Sequence, residues 1–112
     1  MAGDLDQIGE KAREEITARG NRVAISAVVI WEIAIKRSLG KLEAPSDLLG
    51  QLERASVDLL PITVRHADRV ATLPMHHRDP FDRLLVSQAQ IGGLALVSGD
   101  EQLNRYDVNV IW

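Results

Sequence analysis

The chain has 112 residues, the usual size of one domain, and its lack of cysteine excludes disulfides, thiolate metal sites and a cysteine nucleophile. Its hydrophobic fraction of 46% and charged fraction of 26% indicate a packed core and exclude a disordered chain. A net charge of −3 excludes a protein that binds nucleic acid over its whole surface. A nucleic-acid substrate would therefore need local positive charge or bound metal ions.

Hydropathy argues against membrane insertion and secretion. The longest apolar stretch, Val23 to Trp31 with Ser26 inside it, is much shorter than the roughly 20 residues of a membrane span. The acidic N-terminus, with Asp4 and Asp6, lacks the apolar centre of a signal peptide. We therefore expect a single soluble, cytoplasmic domain over residues 1–112.

Local patterns in the first half predict helices separated by short strands. An apolar face that starts at Leu5 and ends before Gly20 predicts a helix over residues 5–19. Ser26 can cap a second helix over residues 27–39, which should be mostly buried because it is apolar on nearly every side. The other elements are strands at 22–26 and 59–62 and a helix from Pro45 and Ser46 to about Ala55.

Capping signals are stronger in the second half. Thr63 can cap a helix that runs to about Leu73. Asp79 followed by Pro80 predicts another helix start. The apolar run at 94–98 predicts a strand buried on both faces. The other predicted features are a helix end at Gly92 and Gly93, a helical turn over 101–105 and a strand over 108–112.

Strands that alternate with helices predict an α/β fold, with a parallel sheet flanked by helices. Ligands of such sheets bind beyond the carboxyl ends of the strands. Glu32 lies in the second predicted helix and is the one ionisable residue among positions 23–35. Burying its carboxylate costs several kcal/mol unless it is paired, protonated or bound to a metal. An ion pair with Lys36 or Arg83 is the alternative to a metal.

Two further carboxylates follow the same topological rule. Asp82 lies in the first turn of its helix, where the helix dipole alone would stabilise a negative charge. Asp100 follows the strand at 94–98 and could simply cap the next turn. If both converge with Glu32 on one pocket, they repel one another unless a hard cation such as Mg²⁺ or Mn²⁺ compensates. This spacing predicts a metal site.

Three segments resemble the PIN-domain nucleases of the VapC toxin type. They read SAVVIWEIAIKRSLGKL at 26–42, HRDPFDRLLVSQA at 77–89 and LVSGDEQL at 96–103. The resemblance covers almost the whole chain in order. It implies a PIN-like three-layer fold and a Mg²⁺- or Mn²⁺-dependent endoribonuclease, the toxin of a toxin and antitoxin pair.

The resemblance also implies roles for individual residues. Glu32 matches the second of four acidic positions of the family, Asp82 the third and Asp100 the fourth. Asp79 looks like the helix N-cap of its block. Ser98, the polar residue before the last acid, is expected to help orient a water molecule on the metal.

The start of the chain departs from the family pattern. Members begin with a central strand, typically reading like Leu-Leu-Asp-Thr-His, that supplies the first acid. Here the residues from Met1 to Asp6 look like the loop that follows the first helix of the family, so the first acid and its strand are expected to be missing. Neither Asp4 nor Asp6 follows an apolar strand that would place it in that role. A strand donated by another chain or a start codon placed too late would explain the difference.

Other polar and aromatic residues have competing interpretations. Arg83, beside Asp82, and Lys36, near the acid pocket, are candidates for contact with substrate phosphate. Trp31 and Trp112 are expected in the core or at a dimer surface rather than stacked on bases. A metal site built from histidines and Asp79 is a less favoured alternative, because adjacent histidines in polar loops are more often solvated. These histidines are His66, His76 and His77.

Metal-assisted hydrolysis of RNA phosphodiester bonds is the preferred hypothesis, with a cognate antitoxin and a second copy of the chain as protein partners. The alternative is a catalytically impaired PIN-like module that binds an antitoxin or dimerises but does not cut. A receiver-like phosphoacceptor domain is disfavoured, because Ser98 and Gly99 follow the late strand where such a domain needs a lysine.

Overall fold

The computed structural model describes residues 8–112, so the predictions on Asp4, Leu5 and Asp6 lie outside the described residues. Residue contacts divide the chain into two compact units. One unit contains Arg22–Ile62, and the other joins the residues up to Asn21 to Thr63–Trp112. Within residues 8–112, no helix is long and apolar enough to cross a membrane.

The described residues form five α-helices, four strands and two 3₁₀ turns in an alternating order. The helices are α1 (Glu10–Thr17), α2 (Ala27–Ser38), α3 (Leu48–Arg54), α4 (Val64–Arg69) and α5 (Pro80–Gly92). The strands are β1 (Ala24–Ser26), β2 (Asp58–Leu60), β3 (Leu96–Val97) and β4 (Val110–Ile111). The 3₁₀ turns cover Val70–Thr72 and Glu101–Arg105.

All strand pairs are parallel, which confirms the predicted α/β class. In the unit of residues 22–62, β1 pairs with β2 and Ala24 lies opposite Asp58. In the other unit, β3 pairs with β4 and Leu96 lies opposite Val110. The strands thus belong to two separate two-stranded sheets.

Helix α2 begins where the capping signal predicts, because the Ser26 hydroxyl oxygen accepts the Val28 N–H at 3.0 Å. The prediction that this helix is mostly buried is wrong. Val28 and Glu32 are its buried residues, whereas Trp31 is 53% exposed. Within this unit, a two-stranded sheet and the seven-residue α3 offer too little surface to surround a 12-residue helix.

Helix α3 starts later than the proline signal predicts. The Arg37 guanidinium donates to the carbonyls of Ala44 and Pro45, at 3.2 and 2.9 Å. These bonds hold the segment in a loop, and the helix begins at Leu48.

The unit that contains α5 is built around a small apolar core. Its buried members are Leu73, Val86, Leu103 and Tyr106, against which Leu96, Val108 and Val110 pack. The prediction that β3 is buried on both faces is wrong, since Val97 is 41% exposed. Among residues 8–112 this sheet has two strands, so the one described neighbour of β3 is β4.

The chain end is packed against the N-terminal helix of the same unit. The Trp112 carbonyl accepts the Ala12 N–H at 2.9 Å, and the Trp112 ring lies against Gly99. Gly9 approaches the Trp112 carbonyl so closely that a Cβ at this position would collide with it. Trp112 is therefore part of the packing of this unit, as the sequence predicts.

Candidate metal centre

The first turn of α5 fixes Asp82. Asp79 caps the helix as predicted, because its Oδ1 accepts the N–H groups of Phe81 at 2.8 Å and Asp82 at 3.4 Å. Pro80 follows at the first helical position, where no amide hydrogen is needed. Asp82 is therefore buried at the positive end of the helix dipole.

Asp100 is fixed just beyond β3 by two local hydrogen bonds. Its Oδ1 accepts the Gln102 N–H at 3.0 Å and so caps the second 3₁₀ turn. The hydroxyl of Ser98 accepts the Asp100 N–H at 3.1 Å. The cap predicted for Asp100 is confirmed, and its second carboxylate oxygen is left for a different contact.

His77 brings the two acids together. Its Nε2 lies 2.7 Å from Asp100 Oδ2 and 3.3 Å from Asp82 Oδ2. The histidine side chain is only 14% exposed. One ligand atom from each of these three residues lies within 4.8 Å of the others, which makes them the candidate metal centre.

The donor set fits a hard divalent cation. Carboxylate oxygens are the ligands that Mg²⁺ and Mn²⁺ prefer, and the centre supplies them from Asp82 and Asp100. The Asp100 carboxylate is anchored by the Gln102 N–H, and the backbone N–H of Asp82 is held by the Asp79 cap. The residues present are therefore compatible with a divalent metal site.

The placement of His77 differs from the sequence-based prediction. Adjacent histidines predict a solvated loop, yet the His77 Nδ1 accepts the Asp79 N–H at 3.0 Å and its ring packs against the acids. The signal that could have found it is its position two residues before the Asp79 N-cap. His66 instead completes a capping box with Thr63, and the His76 ring lies edge-on to Tyr106 with centroids 5.1 Å apart.

Hydrogen bonding at Asp100 makes stability depend on pH. The His77 side chain, and next the Gln102 N–H, lower the pKa of Asp100 below its ordinary value of 3.8. A carboxylate whose pKa is lower in the folded than in the unfolded state stabilises the fold above the unfolded pKa. This contribution is lost as the pH falls through the folded pKa.

We therefore expect Asp100→Asn to lower the melting temperature in EDTA at neutral pH, and the difference from the parent protein to shrink below about pH 4. Thermal melts across this pH range measure the effect. The exposed Asp107→Asn is the control and should leave the melting temperature nearly unchanged. A difference for Asp100→Asn that is constant from pH 7 to strongly acidic pH would contradict the role of its charge.

The Arg83 guanidinium donates hydrogen bonds to groups within the protein. Its Nη1 donates to the Pro74 carbonyl at 2.9 Å and the Tyr106 hydroxyl at 3.1 Å. Its Nη2 donates to the carbonyls of Val70 and Leu73, at 3.1 and 3.4 Å. The residue is buried, and these contacts give it a structural role. Its contact with substrate phosphate stays a prediction.

The remaining predicted site residues, Glu32 and Lys36, lie on α2 in the unit of residues 22–62. Glu32 is 9% exposed, and within the described residues it makes no ion pair with Lys36, which is exposed. The alternative that Lys36 neutralises Glu32 is therefore not supported. The assignment of Glu32 to the metal centre stays a prediction.

Comparison with known proteins agrees with the chemistry of the centre. No curated protein matches this chain at a significant level. The sequence profile of the PIN domain matches residues 4–109, which is nearly the whole chain. The protein therefore belongs to the PIN domain family, whose members are generally metal-dependent nucleases.

Proposed function

We propose that this protein is a VapC-like toxin that hydrolyses RNA phosphodiester bonds with Mg²⁺ or Mn²⁺. The observation that carries the proposal is the close approach of Asp82 and Asp100 around His77. Two carboxylates held this near each other form a ready site for a divalent cation. The VapC-like segments at 26–42, 77–89 and 96–103 support the choice of RNA as substrate.

The resemblance to the VapC-type nucleases assigns the metal in this mechanism to three acids: Glu32, Asp82 and Asp100. A bound cation would activate water and neutralise the charge that develops on phosphate. Because the chain has a net charge of −3, binding of RNA would depend on this positive charge. Ser98 would support the reaction by fixing the backbone of Asp100, and the exposed Lys36 would contact the phosphate backbone.

A cognate antitoxin and a second copy of the chain are the proposed protein partners, and a cytoplasmic location goes with an RNA substrate. Large apolar side chains are exposed on the unit of residues 22–62, which is typical of surfaces that bind other proteins. The most exposed of them are Trp31, Leu39 and Leu49. The same exposure favours the alternative of an interaction module that binds its partner without cutting RNA.

A cleavage assay on end-labelled structured RNA separates the two functions. The purified full chain is incubated with Mg²⁺, with Mn²⁺ or with EDTA. We expect cleavage with either metal and none in EDTA. Glu32→Gln should abolish cleavage because it removes a ligand charge at almost constant volume, whereas Glu43→Gln, an exposed control in the same unit, should retain it.

Other results of the cleavage assay would show which part of the proposed function is wrong. No cleavage by the parent protein with either metal would favour the interaction module. Cleavage that persists in Glu32→Gln would remove Glu32 from the site. Cleavage of DNA with RNA left intact would contradict the proposed substrate class.

A further inference from the structure

The His77 ring is held by contacts on both of its nitrogens. Nδ1 accepts the Asp79 N–H at 3.0 Å. Nε2 lies 2.7 Å from Asp100 Oδ2 and 3.3 Å from Asp82 Oδ2. The ring therefore links the start of α5 to the end of β3.

These contacts determine where the ring proton is. A nitrogen that accepts a backbone N–H uses its lone pair, so Nδ1 carries no proton. The neutral imidazole then carries its proton on Nε2, which is the atom that faces the two carboxylates. Nε2 thus donates a hydrogen bond to Asp100 and has no lone pair to offer a metal in this arrangement.

From this geometry we propose that the His77 ring bridges Asp82 and Asp100 through its Nε2–H and is displaced when a divalent cation binds. The inference rests on the proposed metal-dependent function of this centre. A cation shared by the two carboxylates uses the same oxygen atoms that the ring N–H contacts. The imidazole proton and the cation therefore compete for one position.

The surroundings allow the ring to leave without unfolding the loop. The backbone N–H groups of His76 and His77 donate to the Tyr106 hydroxyl, at 3.2 and 3.0 Å. Tyr106 is itself buried and held by Arg83 at 3.1 Å. Because these bonds anchor the main chain, the His77 side chain can rotate away from the carboxylates at the cost of its hydrogen bond with the Asp79 N–H.

Calorimetric titration with Mg²⁺ tests the competition on the full chain. We expect His77→Ala to bind Mg²⁺ about tenfold more tightly than the parent protein, because no hydrogen bond to a charged group must be broken first. His76→Ala is the matched control, since its ring contacts Tyr106 and no carboxylate of the centre, and it should bind Mg²⁺ with unchanged affinity. Weaker binding by His77→Ala would show that the histidine supports the bound ion and does not compete with it, which would overturn the inference.

Nuclear magnetic resonance of the ¹⁵N-labelled parent protein gives a second test that needs no variant. Without metal, His77 Nε2 should be protonated and Nδ1 unprotonated. Saturating Mg²⁺ should shift the His77 ring signals and leave those of His66 in place. Ring signals of His77 that do not change while calorimetry detects Mg²⁺ binding would overturn the displacement.

The Mg²⁺ titrations distinguish an error in the proposed metal-dependent function from an error in the proposed displacement of His77. If neither the parent protein nor His77→Ala binds Mg²⁺, the proposed metal-dependent function is wrong, and the displacement is wrong with it. If both bind Mg²⁺ with equal affinity, the metal site stands and the competition by His77 is refuted.

Discussion

Replacing Asp82 by asparagine is expected to abolish the stabilisation of the folded protein by Mn²⁺ and to abolish RNA cleavage. Asparagine keeps the volume of the side chain but removes the charge that the cation requires. The loss of activity should exceed the roughly 100-fold effect that is typical of residues supporting a metal ligand. A ligand at 100 times its Kd stabilises the folded state by about 2.7 kcal/mol, so the parent protein should show a clear shift.

Thermal melts with and without saturating Mn²⁺ measure this effect. Asp68→Asn is the control, because Asp68 is exposed on α4 in the same unit, and it should keep the full shift. A parent protein whose melting temperature does not respond to Mn²⁺ would count against the metal centre as a whole. An Asp82→Asn protein that responds as strongly as the parent would count against Asp82 alone.

Replacing Arg83 by methionine is expected to destabilise the protein by about 3 kcal/mol, because buried acceptors lose their donors. The carbonyls of Val70, Leu73 and Pro74 and the Tyr106 hydroxyl all lose a hydrogen bond. For a domain of this size the melting temperature should fall by about 10 °C or more. Arg83→Lys should recover only part of the loss, since an ammonium group cannot reproduce the planar fork of donors.

Arg65→Met is the control for this experiment. Arg65 is exposed on α4, so its replacement should change the melting temperature by no more than a degree or two, about what surface changes cause. A melting temperature of Arg83→Met near that of the parent would show that water or other groups replace the lost donors. A stable Arg83→Met that no longer binds RNA would return Arg83 to the substrate site.

Local signals predicted the helix starts well. Ser26, Thr63 and Asp79 each accept a backbone N–H two or three residues later, so the residue and its near neighbours decide the cap. The end of α5 is equally local, because Gly93 adopts the left-handed conformation at φ 62°. Strand limits were predicted less well, since a strand exists only where a distant segment pairs with it.

The exposure of α2 could not be predicted from its amino-acid composition. Its apolar composition is compatible with a buried helix and also with a helix that presents apolar groups at its surface. How much of Trp31 is covered depends on the number and size of the elements that pack around it, which composition does not encode. The same reasoning applies to Val97 in β3.

The amino-acid sequence by itself determined the α/β class and the capping residues, because these follow from contacts within a turn and from strand and helix periodicity. Only the tertiary structure decided that His77 meets Asp100 and that Arg83 serves the core, since each contact joins residues 23 positions apart. The residues next to His77 or Arg83 in the sequence do not indicate which distant residue its side chain will contact. The partner of such a side chain is determined only after helices and strands that are distant in the sequence have packed together.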